Sequence, residues 1–285
     1  MRRLRNWLLF SLIVLIWGSN WSVMKSALYF VGPFNLVFQR FLISSLALSP
    51  LLVALREKVP RDRETLVKLL LLSLINAFGI ISTNTGLVYE KSSIGAVLTY
   101  TQPLFVFCLA VLFLKEKSKL SRLLGILIGF SGVLILYLRG DLSITNFSYP
   151  SLLLIVGAFT WAVTIVYYKK LLSHVNPVVT NIFQLSVGAI ILSALSIPIE
   201  GFSFPINETY ILLVLYMSLA SSSLAMTLWV FLLREEEATV LSTTSFIVPA
   251  VALIFGWFFL GENLELNSLL GFILIMTGVY LVNKT

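Results

Sequence analysis

The sequence contains few of the residue types that catalysis and metal binding require. Its 285 residues include one cysteine, one histidine and 13 acidic side chains, and every acid lies near the end of an apolar stretch or between two such stretches. A lone Cys108 provides neither a disulfide framework nor a thiolate metal site. An intramembrane hydrolase would need a metal cluster or an acid–base pair. We therefore expect no enzymatic activity, no metal and no cofactor.

Charge is also scarce, and this scarcity argues against a water-soluble domain. Charged residues make up 12% of the chain and hydrophobic residues 58%, whereas soluble domains carry roughly 25% charged residues. Runs of about 20 apolar residues, long enough to span a bilayer as a helix, recur from end to end. The net charge of +7 lies in short clusters between these runs, so we expect no nucleic acid. The sequence predicts an all-α polytopic membrane protein whose partners are the lipid bilayer and a small-molecule substrate.

Charged positions and Pro-, Gly- or Asn-rich positions divide the chain into ten predicted transmembrane helices. They lie near 7–28, 34–55, 66–88, 92–114, 120–139, 148–170, 177–198, 209–232, 237–260 and 266–283. Most of the 20 Lys and Arg residues fall on the same side as the N-terminus, the exceptions being Lys25, Arg40, Lys91 and Arg139. Cytoplasmic loops carry the excess of Lys and Arg. We therefore expect both termini in the cytoplasm and the protein in the cytoplasmic (inner or plasma) membrane.

The second half of the chain repeats distinctive residues of the first half at a nearly constant offset, 144 residues in the first helix pair and 146 in the next three helices. Matching pairs are Trp17 and Trp161, Lys25 and Lys169, Glu90 and Glu236, and Pro103 and Pro249. Each unit, 1–140 and 147–285, holds five predicted helices, and this odd number inserts the second unit in the opposite direction. Inverted repeats are typical of secondary transporters. A duplication kept only for packing is the alternative.

These motifs also carry a family resemblance. Ile16-Trp17-Gly18-Ser19-Asn20-Trp21 is followed by Lys25, and each half has a mid-helix proline and a Phe-Leu-(Lys/Gly)-Glu ending, at 113–116 and 259–262. The pattern resembles the EamA-type permeases of the drug/metabolite transporter superfamily over essentially the whole chain. The resemblance implies ten helices in two inverted five-helix halves. It also implies export or exchange of small metabolites, often amino acids or amphipathic compounds.

Aromatic and neutral polar side chains lie deep in the first and sixth predicted helices. Residues at i, i+3, i+4 and i+7 share one face of a helix. The residues on the two faces are Trp17, Asn20 and Trp21 on the first helix, and Trp161, Thr164 and Tyr168 on the sixth. The pattern predicts the lining of a substrate cavity. Packing with a local hydrogen bond is the alternative, since a deep Asn is costly unless it is paired.

Two prolines predict irregular backbone at membrane depth. Pro103 frees the carbonyl of Thr99, and Pro249 frees that of Ser245, because proline lacks the N–H that would bond four residues back. Such backbone is tolerated where it lines a cavity or is packed in protein. We therefore assign it to the substrate path, with a kink patched by nearby hydroxyls as the alternative. Further polar residues assigned to the path are Asn84, Tyr100, Gln102 and Thr244. The third, fourth, eighth and ninth helices, with the first and sixth, should surround it.

Lys25 and Arg40 are the basic residues nearest the membrane on the outer side. Arg40 lies about two turns into the second helix, roughly 9 Å at 1.5 Å per residue, where it could bind a carboxylate or phosphate. The alternatives are snorkelling, which we favour for Lys25, and a pair with Glu90. The repeat equivalent of Arg40 is the neutral Gln184. Recognition of charge would therefore be one-sided.

Other residues are assigned structural roles. Small residues let helices approach closely, and glycines at 125, 129 and 132 on the fifth helix and 271 and 278 on the tenth predict a scaffold away from substrate. Glu116 and Glu262 should fix the turn into the next helix, and His174 falls in a surface loop.

We predict a permease that moves small organic metabolites by alternating access, as an exporter or facilitator of amino acids or related compounds. One alternative is a sugar-phosphate or nucleotide-sugar exchanger in which Lys25 and Arg40 hold the phosphate. A second alternative is a non-transporting membrane scaffold or sensor.

Overall fold

The computed structural model describes residues 2–54, 56, 59–90, 95, 98–117, 119–137, 148–251, 254 and 266–284. The residues within these ranges form helices and short connections, and none is in a strand. The helices are α1 Arg2–Ala27, α2 Pro33–Ala54, α3 Arg63–Tyr89, α4 Gln102–Leu109 with a π-helical end at Ala110–Leu114, α5 Leu120–Tyr137, α6 Tyr149–Leu171, α7 Pro177–Glu200, α8 Glu208–Glu235 with a π-helical segment at Met217–Ala225, α9 Ala238–Thr244 and α10 Leu266–Lys284.

Six of these helices, α1, α2, α3, α6, α7 and α8, are long and apolar enough to cross a membrane. Shorter apolar helices lie at Gln102–Leu114, Leu120–Ile135, Ala238–Val251 and Leu269–Lys284. Large side chains such as Phe78 and Ile190 are 57% and 69% exposed, as expected for surfaces that face lipid. The chain is therefore an all-helical, polytopic membrane protein. Parts of the predicted fourth and ninth helices lie outside the described residues.

Short polar side chains begin several of the helices. Asp62 accepts a hydrogen bond from the backbone N–H of Thr65 at 2.8 Å at the start of α3. Hydrogen bonds from Thr65 also lower the pKa of Asp62 below its ordinary value. Ser148, Asn176 and Asn207 accept equivalent bonds at the starts of α6, α7 and α8. These caps satisfy backbone N–H groups that lack partners within the helix, so the helix starts follow from local sequence.

Helices α5 and α10 pack with their backbones in contact. A Cβ atom added to Gly278 would lie 2.4 Å from the carbonyl oxygen of Gly125, and one added to Gly132 would lie 2.6 Å from the carbonyl oxygen of Gly271. Only glycine allows this approach. No described residue of either helix lines the central cavity. The structure therefore agrees with the prediction that these glycine-rich helices form a scaffold.

The start of α1 and the end of α10 lie at the same end of the helix bundle. Arg5 in α1 forms an ion pair with Glu235 at the end of α8 at 2.6 Å, and Arg122 in the first turn of α5 pairs with Glu237 at 2.5 Å. Val282, near the end of α10, packs against Gly125 in α5. The basic connection between α4 and α5, which holds Lys115, Lys117 and Lys119, is also at this end. The opposite end holds the start of α2 and the end of α7, which are joined by hydrogen bonds to Glu200.

Candidate functional site

A cavity of about 200 Å³ lies at the centre of the bundle. Its walls come from α1, α2, α3, α6, α7 and α8, from the residues around the start of α4, and from Ser245 just after the end of α9. The helices predicted to surround the path all contribute, and α2 and α7 contribute in addition. Most of the predicted path residues line this cavity: Trp17, Asn20, Trp21, Arg40, Asn84, Thr99, Tyr100, Gln102, Trp161, Thr164 and Ser245.

Four predicted path residues do not line the cavity: Pro103, Tyr168, Thr244 and Pro249. Tyr168 is 2% exposed and packs in the main hydrophobic cluster, one turn beyond Thr164. The hydroxyl of Thr244 donates to the carbonyl of Val240 at 2.7 Å. Both prolines are buried. Their effect on the site is indirect, through the backbone that precedes them.

The backbone before Pro103 and Pro249 turns sharply, at the place where each proline was expected to interrupt its helix. Turns at Tyr100–Thr101 and Ser245–Phe246 separate two helical stretches in each half. The prediction that the Ser245 carbonyl is free is wrong, because it accepts the N–H of Val248 at 2.9 Å. The tighter turn recovers a bond that the missing N–H of proline would have lost. These turns place Thr99 and Ser245 at the wall of the cavity.

Three indole rings form one wall. The ring centroids of Trp17 and Trp229 are 5.1 Å apart, those of Trp17 and Trp161 are 6.2 Å apart, and those of Trp161 and Trp229 are 6.4 Å apart. Trp21 contributes a further aromatic contact, with its ring centroid 6.5 Å from that of Tyr100. Such faces can cover an apolar group or attract a cation.

Polar atoms without partners face the same cavity. The Oδ1 atoms of Asn20, Asn76 and Asn84, the hydroxyl of Thr99 and Nε2 of Gln102 have no hydrogen-bond partner among the described residues. Buried polar groups are normally satisfied, and each orphaned one costs about 1–3 kcal/mol. Five such groups around one cavity indicate a site for a ligand or ordered water that supplies the missing partners.

Arg40 is the one charged side chain among the described residues that line the cavity. The guanidinium donates from Nε to the hydroxyl of Ser222 and from Nη2 to that of Ser221 at 3.2 Å. A pair with Glu90 was one interpretation of the sequence, and it is wrong. The Glu90 carboxylate instead accepts hydrogen bonds from Ser148 and Ser151, both at 2.6 Å.

Lys25 does not reach the cavity. Its ammonium donates to the carbonyls of Leu87, Val88 and Glu90, at 2.7, 3.3 and 3.2 Å, and so caps the end of α3. Lys169, its repeat equivalent, caps the end of α8 in the same way, through the carbonyls of Leu233 at 2.8 Å and of Glu236. A cation at a helix C-terminus satisfies free carbonyls and interacts favourably with the helix dipole. Capping therefore replaces the snorkelling expected of Lys25.

Two consecutive stretches of the chain, residues 5–138 and 149–284, each match the model of one family, described as EamA-like transporters. The chain belongs to the EamA-like transporter family. It is 28% identical to the uncharacterized transporter YoaV of Bacillus subtilis (strain 168) over 94% of this chain and 93% of that protein. It is 30% identical to a second uncharacterized transporter of that organism, YvbV, over 98% and 92%.

Two further comparisons agree with this assignment. The uncharacterized inner membrane transporter YedA of Escherichia coli (strain K12) is 28% identical, with 96% of this chain and 89% of that protein covered. A solved crystal structure superposes with a TM-score of 0.82 over 98% of both chains at 16% identity, which shows that the fold is shared. This EamA-like chain is therefore a membrane transporter by family.

Glu116 has a different structural role in this EamA-like transporter from the one expected. Its carboxylate accepts the backbone N–H groups of Ala238 and Thr239 at 2.7 and 3.2 Å and so caps the start of α9. The expected role, fixing the turn into its own next helix, is wrong, because the unpaired N–H groups of α9 attract the negative charge. Glu262 lies outside the described residues. His174 lies exposed between α6 and α7, as predicted.

Several cavity residues of the EamA-like chain were not predicted from the sequence: Asn76, Thr83, Asn181, Ser221, Ser222 and Trp229. The repeat offset could have found some of them. Adding 146 to Asn76 gives Ser222, and adding 146 to Thr83 gives Trp229. Both members of each pair line the cavity. Both members of these offset-related pairs therefore contribute to the site even though their residue types differ.

Proposed function

We propose that this protein is a permease that moves small organic metabolites across the cytoplasmic membrane by alternating access. Amino acids or related compounds are the proposed solutes, and export or facilitated movement is the proposed activity. The observation that carries this proposal is the central cavity with its five unpartnered polar groups. A membrane interior tolerates such groups where they serve a solute path.

The proposed architecture is ten transmembrane helices in two inverted repeats, 1–140 and 147–285, with both termini in the cytoplasm. Two consecutive family matches, to residues 5–138 and 149–284, support the repeats. The paired lysine caps support the inversion, since Lys25 caps α3 at the end of the bundle opposite the termini and Lys169 caps α8 at the end that holds them. Two similar halves of opposite direction can exchange conformations around a central site.

The cavity suits a small solute with polar and apolar parts. Its volume of about 200 Å³ lies below the roughly 300–1,000 Å³ of pockets that hold drug-sized ligands. Amide oxygens of Asn20, Asn76 and Asn84 can accept hydrogen bonds, while the indole wall can cover an apolar side chain. The sugar-phosphate exchanger has less support, because Lys25 is occupied by the carbonyls at the end of α3.

Flux through purified protein in liposomes tests the proposal. We expect a labelled amino-acid mixture to equilibrate faster in these liposomes than in protein-free ones. Asn76→Leu should reduce flux by about tenfold or more, since losing a buried polar partner costs about 1–3 kcal/mol. Phe78→Leu, in the same helix but on an exposed face, is the matched control and should keep the wild-type rate. Flux no faster than in empty liposomes for every metabolite offered would refute the proposal.

A further inference from the structure

Arg40 places a positive charge inside the bundle. It lies seven residues after the start of α2 at Pro33, which is roughly 10 Å along the helix axis. Its guanidinium faces the cavity wall formed by α8. A charge at membrane depth is costly unless another group offsets it, and in transport proteins such a residue commonly marks the path of a substrate.

The partners of Arg40 orient the guanidinium without neutralising it. Ser221 and Ser222 belong to the π-helical segment Met217–Ala225 of α8, and their hydroxyls accept hydrogen bonds from the guanidinium. Helix α7 also contacts this segment, because Nδ2 of Asn181 donates a hydrogen bond to the carbonyl of Ser222 at 2.9 Å. Hydroxyl oxygens satisfy donors but carry no negative charge. π-Helical segments are rare in proteins and occur frequently at functional sites.

Two acids at this end of the bundle, Glu90 and Glu200, have other partners. Glu90 accepts the hydroxyls of Ser148 and Ser151. Glu200 accepts the backbone N–H groups of Phe34 and Asn35 at 3.0 and 2.9 Å, at the start of α2. Across the part of the chain that the structure describes, the ion pairs involve other cations, and no acid lies within pairing distance of Arg40. The charge of Arg40 is therefore available to a ligand.

The groups around Arg40 indicate what kind of ligand would complete the site. The unpartnered oxygens of Asn20, Asn76 and Asn84 can each accept a hydrogen bond from an N–H or O–H group of a ligand. The indole rings of the cavity wall suit an apolar group or a cation. Gln184, the repeat equivalent of Arg40, is buried and does not line the cavity. The described part of the site therefore has one anion-binding point rather than a symmetric pair.

We infer that Arg40 binds the carboxylate of the transported solute and selects organic acids, zwitterions included, over the corresponding amides and amines. The inference rests on the proposed transport function and specifies the charge that its substrate carries at this point. The planar guanidinium presents paired N–H donors that match the two oxygens of a carboxylate. A carboxylate here supplies the negative charge that Ser221 and Ser222 do not.

Ligand binding to purified protein, followed by intrinsic tryptophan fluorescence of the cavity wall, tests the inference. The probes are a set of free amino acids, the same compounds as carboxamides, the decarboxylated amines and phosphate monoesters. We expect the wild type to bind the free acids at least about 30-fold more tightly than the carboxamides, the low end of the cost of losing one partner of a buried charge pair. Arg40→Gln should remove this preference, and Arg40→Lys should retain part of it.

Arg234→Gln is the matched control, since Arg234 is exposed at the end of α8 and does not line the cavity. It should keep the wild-type preference for acids. If Arg40→Gln does not fold, the relative affinity of the wild type for free acids and carboxamides is by itself the test of the preference for a carboxylate. Equal binding of the free acids and the carboxamides, or tighter binding of phosphate monoesters, would overturn the carboxylate-binding role of Arg40. If flux in liposomes were still observed, the transport function would stand. Absence of both binding and flux for every probe would overturn the transport function together with the role of Arg40.

Discussion

Replacing Gly278 by alanine tests the close packing of α5 and α10. The new Cβ would lie 2.4 Å from the carbonyl oxygen of Gly125, 2.5 Å from the backbone nitrogen of Gly129 and 2.7 Å from its Cα, whereas ordinary contact begins at 3.4 Å. All three atoms belong to the backbone, so no side chain can rotate away. The two helices would have to separate by about 1 Å at this point.

Overpacking of this kind in a close-packed interior lowers the stability of a protein by about 1–3 kcal/mol. At about 2–4 °C per kcal/mol, the midpoint of thermal unfolding in detergent should fall by about 2–12 °C. The wild type, Gly278→Ala and Thr277→Ala would be compared by the loss of monodisperse protein on heating. Thr277 is the neighbouring residue and is exposed, so its variant should unfold within about 1 °C of the wild type.

Ligand binding supplies the second half of this test. Because no described residue of α5 or α10 lines the cavity, Gly278→Ala should bind solutes with the wild-type affinity at temperatures where it is folded. An unchanged unfolding midpoint would refute the backbone contact. A large loss of affinity in the folded variant would instead refute the separation of scaffold from substrate path.

Three further outcomes are expected. Glu116→Gln removes the negative charge at the start of α9 and should lower stability by about 0.3–1 kcal/mol, measured as a lower unfolding midpoint; a variant as stable as the wild type would contradict this capping role. Glu90→Gln should leave flux in liposomes intact and independent of proton and sodium gradients, because no acid lines the cavity among the described residues; uphill accumulation driven by an imposed pH gradient would contradict this. Reporter fusions after His174 should report the cytoplasm and those after Gly201 the outer side, and the same location for both would contradict the predicted topology.

Local sequence predicts much of this fold. Helix positions follow from apolar runs of bilayer length, because a membrane-spanning helix must be apolar along its whole extent. The described α2, α6 and α10 begin and end within a residue or two of their predicted bounds. The repeat offset relates Trp17 to Trp161, and both rings lie in the same cavity wall. Fold class and the positions of these three helices therefore follow from the order of apolar and polar residues along the chain.

Tertiary structure decided which polar residues share the cavity and which are used elsewhere. In so apolar a chain, the sequence does not show which face of a helix meets another helix and which meets lipid. Lys25 and Arg40 are both basic residues near the outer side of the membrane in the sequence, yet Lys25 binds the carbonyls at the end of α3 and Arg40 reaches the hydroxyls of α8. Tyr168 lies one turn from Thr164 but packs in the core. These outcomes depend on the relative rotation and depth of packed helices, which side-chain contacts between distant parts of the chain determine.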